Sequence, residues 1–97
     1  MEPENWITPI IIEFNPAAFK HGITRDRIRW AVTHPLYDSL IEETEHKYLT
    51  IGSDQSGNLL EIMYNIIEER HINVFHAMKC RRFFFPLLEI EEETWLE

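Results

Sequence analysis

The run Leu59-Leu60-Glu61-Ile62-Met63-Tyr64-Asn65-Ile66-Ile67, then Glu68-Glu69-Arg70-His71, then Ile72-Asn73-Val74-Phe75-His76-Ala77-Met78 decides how this chain folds. Two stretches rich in β-branched and aromatic residues flank four polar ones, which reads as a long β-hairpin with a four-residue loop. Setting Ile67 opposite Ile72 places Tyr64 opposite Phe75, Met63 opposite His76 and Glu61 opposite Met78. Because side chains alternate along a strand, Leu60, Ile62, Tyr64, Ile66, Phe75 and Ala77 then share a face suited to a core. The opposite face carries Glu61, Met63, Asn65, Val74, His76 and Met78. It is mixed in character, as a cleft or a partner surface would be.

Upstream, Lys47 to Gly52 and Leu36 to Ile41 read as two further strands, separated from each other by Glu42-Glu43-Thr44-Glu45. The turn formers Ser53-Asp54-Gln55-Ser56-Gly57-Asn58 precede the hairpin. Ile7 to Phe14 reads as a first strand, and Pro16 to His21 as a short helix closed by Gly22 in the left-handed conformation. Thr24 is the expected N-cap of a second helix that ends at Pro35, with Ile23 and Ile28 at the positions of a hydrophobic staple. After Cys80 a short helix or aromatic turn runs to Pro86. Three consecutive phenylalanines, Phe83 to Phe85, cannot all point inward from one element, so at least one is exposed or covered by a partner.

Ninety-seven residues with 44% hydrophobic content suffice for one core, and no repeat or linker divides the chain, so residues 1–97 are expected to form a single domain. Residues 89–97 stand apart as an acidic C-terminal tail containing Trp95. A single cysteine leaves no intramolecular disulfide and no multi-cysteine zinc site. With no signal-like N-terminus and no apolar run of membrane-spanning length, the sequence reads as a cytoplasmic protein without a membrane partner. The net charge of −8 excludes an all-round basic footprint for nucleic acid. Seven of the seventeen acids lie in residues 2–4 and 89–97, however, leaving ten acids against nine bases over residues 5–88. A local basic patch therefore remains compatible with the sequence.

Several short motifs, taken in order, resemble the BrnT toxins, members of the RelE-like ribonuclease toxins of type II toxin–antitoxin systems. They are Phe14-Asn15-Pro16, Lys20-His21-Gly22-Ile23-Thr24, and Asp38 following His34-Pro35-Leu36. Thr50-Ile51-Gly52, Gly57-Asn58-Leu59-Leu60-Glu61-Ile62 and Ala77-Met78-Lys79-Cys80-Arg81-Arg82 complete the series. The resemblance implies an α+β fold, RelE/BrnT-like, with two N-terminal helices packed on a twisted, mainly antiparallel sheet of about four to five strands. It also implies an endoribonuclease that cleaves RNA to inhibit translation, and a cognate antitoxin that wraps the toxin. The family's last strand ends Ser-Ala-Arg where this chain has His76-Ala77-Met78. A methionine cannot stabilise phosphate charge at that position. This departure and the net charge favour the alternative, a non-catalytic BrnT-like protein-binding module.

Metal-independent RNA cleavage needs a base for the 2′-hydroxyl, an acid for the leaving 5′-oxygen and cations for the phosphorane. His76 is the candidate proton carrier, with Glu61 to orient it or act as base. Lys79, Arg81 and Arg82 are candidates to hold the phosphate. The bland alternatives are a half-buried strand histidine and a solvated helix end paired with the acidic tail. No cofactor is expected, and scattered histidines give no metal-ligand spacing. His21 reads as structural, a helix-terminal residue beside Gly22. Arg25, Arg27 and Arg29 read as a solvated helix surface. Cys80 has basic neighbours of the kind that lower a thiol pKa, but no arrangement that would make it a nucleophile, so it reads as inert. The aromatic run and Trp95 point to a protein interface with a second copy of the chain or an antitoxin.

Overall fold

In the computed structural model, which describes residues 9–88, five strands form one mixed sheet. They are β1 (Ile11–Phe14), β2 (Pro35–Leu40), β3 (Tyr48–Ser53), β4 (Leu59–Glu68) and β5 (His71–Lys79). The order across the sheet is β1-β5-β4-β3-β2. The neighbouring pairs from β2 to β5 are antiparallel, while β1 runs parallel to β5. Among the described residues one α-helix, α1 (Arg25–Thr33), and two 3₁₀ segments, Pro16–Phe19 and Arg82–Leu88, accompany the sheet. The start of the expected first strand (residues 7 and 8) and the acidic tail lie outside the described residues.

The expected pair of N-terminal helices is not what the chain forms, and the five-stranded sheet, antiparallel in three of its four pairings, is mixed. Pro16–Phe19 is one 3₁₀ turn. Its N-cap Asn15 accepts a hydrogen bond from the Ala17 N–H at 2.9 Å, and Lys20 N–H bonds the Ala17 carbonyl three residues back. Gly22, at φ +82°, then reverses the chain before any four-residue ladder can start. The sheet is mixed because Ile11 to Phe14 pair with His71 to Val74 along the outer edge of the hairpin.

The second helix is built as its sequence dictates. Thr24 caps it by accepting from Arg27 N–H at 3.3 Å, and Ile23 and Ile28 are both buried at the staple positions. Ile28 and Ala31 press α1 against a core with Leu60, Ile62, Tyr64, Val74 and Ala77. The other side of the sheet buries Leu49, Ile51 and Cys80 beneath Tyr37, Met63, Phe84 and Leu88, so the C-terminal 3₁₀ segment covers it. Phe83 and Phe85 are exposed while Phe84 packs inward, which meets the expectation for the three phenylalanines.

The hairpin keeps the expected register where it bears on function: Glu61 opposes Met78 and Met63 opposes His76. Beyond Met63 the register slips by one, so Tyr64 opposes Val74 and Phe75 is the extra residue of a β-bulge. Val74 thereby joins the helix-side core instead of the mixed face, and Phe75 leaves it. The loop is also tighter than expected, since Glu68 pairs with His71 and Arg70 takes φ +60°.

Asp54 ties the β3–β4 turn to α1. Its carboxylate accepts from Ser56 N–H and Asn58 N–H at 2.9 Å each, from the Asn58 side-chain amide at 3.2 Å and from Arg27 Nε at 2.9 Å. Burial pushes the Asp54 pKa up, but these donors outweigh it and hold it at about 2, against an ordinary 3.8. The group's contribution to stability is therefore complete above the ordinary value and is lost as pH falls towards 2. Asp54→Ala is expected to lower the urea midpoint at neutral pH and to flatten the acid loss of stability between about pH 4 and 2. Thermal melts of both proteins across that range, with the wild type falling no more steeply than the variant, would contradict it.

Candidate active site

Glu61 is the odd residue of the sheet: it is the third residue of β4, between Ile51 and Met78 on the neighbouring strands, with none of its side chain exposed to solvent. An ionised carboxylate there loses its hydration and must be repaid by partners. Arg81 supplies most of them, just past the end of β5. Its backbone N–H donates to Oε1 at 2.9 Å, Nε lies 3.1 Å from both oxygens, and Nη2 donates to Oε2 at 2.6 Å. His76 Nε2 completes the shell at 2.9 Å from Oε2. Burial alone pushes the Glu61 pKa up, yet the Arg81 and His76 hydrogen bonds bring it below its ordinary value.

An ionised Glu61 can only accept, so the His76 contact fixes the tautomer: Nε2 carries the proton and donates it. Nδ1 is then the basic nitrogen. The half-buried imidazole is held on one side by a carboxylate and meets a second imidazole on another, with the His21 ring 5.7 Å away in an edge-on arrangement. His21 arrives by way of the 3₁₀ turn. Strand β1 stops pairing at Val74, Asn15 N–H bonds the Val74 carbonyl, and the chain then passes β5 before Gly22 turns it into α1.

The five residues singled out from sequence thus fall into two groups. Glu61, His76 and Arg81 converge. Lys79 does not join them: it opposes Leu60, whose side chain belongs to the helix-side core, and it borders a depression with Arg27 and Asn58. Arg82 is exposed at the start of the C-terminal 3₁₀ segment. Arg81 is also committed sideways, its guanidinium lying 4.9 Å from the Phe83 ring and 5.7 Å from that of Phe84. Cys80 lies beneath the site with its thiol pushed up by burial and by the charge of Glu61, so it is a buried thiol and not a thiolate.

His21 is the residue that reasoning from sequence assigned to structure alone. The Lys20-His21-Gly22-Ile23-Thr24 junction carries the signal for it, but only the sheet order brings that junction beside His76. A surface groove of about 450 Å³ opens elsewhere, between β2 and the C-terminal segment, lined by residues including Tyr37, Leu40, Met63, Phe84 and Leu87. Among the described residues no helix is long and apolar enough to cross a membrane. No family model, curated protein or solved structure matches the chain.

Proposed function

We propose that this protein is the toxin component of a type II toxin–antitoxin system, a cytoplasmic, metal-independent endoribonuclease whose proton transfers run through His76 and His21. The observation that carries the reading is the buried Glu61 carboxylate bonded to His76. A leucine or methionine at that strand position would cost far less to bury, so a carboxylate there calls for a task, and aiming an imidazole is such a task. The ordered motifs that resemble the BrnT toxins supply the substrate class.

In this mechanism His76 Nδ1 takes the proton of a ribose 2′-hydroxyl. The 2′-oxygen attacks the adjacent phosphorus, and the bond from phosphorus to the 5′-oxygen breaks. His21, when protonated, gives its proton to that leaving oxygen. The products are a 2′,3′-cyclic phosphate and a 5′-hydroxyl, so atoms and charge balance without a cofactor. Glu61 stabilises the imidazolium that forms on His76. Arg81 Nη1 is not used by Glu61, and nearly half of the Arg81 side chain is exposed, which leaves donors for the phosphorane.

Purified protein incubated with single-stranded RNA in the presence of a chelator should yield cyclic-phosphate ends. His76→Ala and His21→Ala should each lower the rate about 10² to 10⁴-fold while leaving the fold intact. Intact RNA after incubation with folded wild-type protein, together with normal growth of cells expressing it, would refute the reading.

The alternative of a protein-binding module draws on a different feature. Leu36, Leu40, Phe83 and Leu87 are exposed, and Leu40 and Leu87 border the apolar groove beside β2. In the toxin reading this surface is where an antitoxin or a second copy of the chain would lie. Its presence without RNA cleavage would leave binding as the protein's role.

A further inference from the structure

The three arginines of α1 divide into two groups. Arg27 is paired with Asp54. Arg25 and Arg29, one helical turn apart, lie over the same ring: their guanidinium carbons are 5.1 and 6.0 Å from the centre of Phe14. Arg25 also lies 5.3 Å from Phe19, which stacks on Phe14 at 5.5 Å. Among the described residues neither Arg25 nor Arg29 makes an ion pair, and both are exposed. Asp26, the nearest acid in sequence, lies about 100° around the helix from Arg25 and about 60° from Arg29, yet it pairs with neither.

Cations laid on an aromatic shelf have lost much of their rotamer freedom, so less is lost again when they bind an anion. A guanidinium seated over a ring also keeps its edge donors available for phosphate oxygens. The shelf is joined to the candidate active site through the chain. Phe19 begins the run Phe19-Lys20-His21, whose histidine reaches His76. On a chain with a net charge of −8, two neighbouring guanidinia without an ion-pair partner among the described residues are a local reversal of sign.

We infer that Arg25 and Arg29 form a phosphate-binding shelf that holds the RNA backbone a few nucleotides from the bond cut between His21 and His76. This rests on the ribonuclease reading and adds the path of the strand. An acidic segment of a protein is the competing occupant, and the test separates the two.

The test is binding of a single-stranded 2′-O-methyl RNA, which lacks the attacking hydroxyl, measured at several salt concentrations with wild-type protein and with R25Q/R29Q. The double variant should bind about tenfold more weakly at 0.1 M salt. Its slope of log affinity against log salt should be shallower by about 1.4, about 0.7 for each phosphate contact removed on a single strand. R25K/R29K should keep the wild-type slope, and turnover of a dinucleotide too short to reach the shelf should be the same in all three. If the glutamine pair loosens the fold, R29Q alone reads the same effect as a slope change of about 0.7. An unchanged slope in R25Q/R29Q with RNA cleavage by the wild type overturns the shelf alone. Arginine-dependent binding without any cleavage overturns the ribonuclease reading and keeps the shelf. Failure of the wild type to bind RNA at all overturns both and leaves the acidic protein segment as occupant.

Discussion

Replacing Glu61 by glutamine is expected to lower stability by about 2–3 kcal/mol and to abolish RNA cleavage. The volume is unchanged, so the effect is electrostatic. Glutamine cannot accept the Arg81 fork on both of its terminal atoms, and its amide can face His76 as a donor, which reverses the tautomer. Breaking a fully buried pair usually costs about 3–5 kcal/mol. The lower figure applies because 43% of the Arg81 side chain is exposed and water can replace part of what it loses. For a domain of this size the melting temperature should fall by roughly 10–20 °C. Because the folded-state pKa of Glu61 lies below its ordinary value of 4.5, its contribution is complete above that value and is lost as pH falls below it. The variant should therefore show a shallower acid transition than the wild type. A double variant, E61L/R81M, separates the two roles: it should recover most of the stability, since a packed apolar pair needs no compensation for lost hydration. It should recover none of the cleavage, since nothing then aims His76. Cleavage at the wild-type rate by E61L/R81M would remove Glu61 from the mechanism and leave the dyad as a structural ion pair.

The pairing that makes this site was legible in the sequence because it depends only on two alternating runs and the loop between them. Met63 opposite His76 and Glu61 opposite Met78 follow from that alone. What alternation cannot carry is an inserted residue: nothing about Phe75 distinguishes it from its neighbours, and the bulge there moves Val74 to the other face. The Arg81 contact was equally out of reach, because it forms after the strand ends and depends on how the chain leaves the sheet. One helix forms where two are expected because Pro16 and Gly22 supply a cap and a stop with too few residues between them to propagate a helix. The placement of His21 required a long-range fact, the parallel pairing of β1 with β5, which no local pattern encodes. The arginines of α1 separated for the same reason: Asp54 and Phe14 are distant in sequence from the helix that meets them.

Gly52→Ala should be the most damaging single-methyl change in the protein. Strand β3 passes directly under α1 at Gly52, and a β-carbon built there would press on the Ala31 carbonyl, 2.9 Å from its carbon and closer still to its oxygen. The obstructing atoms are backbone, so no rotamer change relieves the contact and the helix itself must lift. A loss of about 3 kcal/mol or more is expected. Gly57→Ala is the matching control: its φ of +87° strains any side chain, but no atom lies within 4 Å of the added carbon, so only the backbone cost of about 1 kcal/mol applies. The two variants also differ in what they do to the site. Gly22 and Ile23 join His21 to α1, and Ile23 is buried in the same core as Ala31. Lifting the helix therefore shifts His21 relative to His76, and a displacement of about 1 Å between proton-transfer groups costs on the order of a hundredfold in rate. Gly52→Ala, assayed cold enough to remain folded, should thus lose cleavage well beyond its loss of folded protein. Gly57→Ala should lose activity only in proportion to the fraction unfolded. Equal specific activity per folded molecule in both variants would show that the position of α1 does not set the His21–His76 geometry.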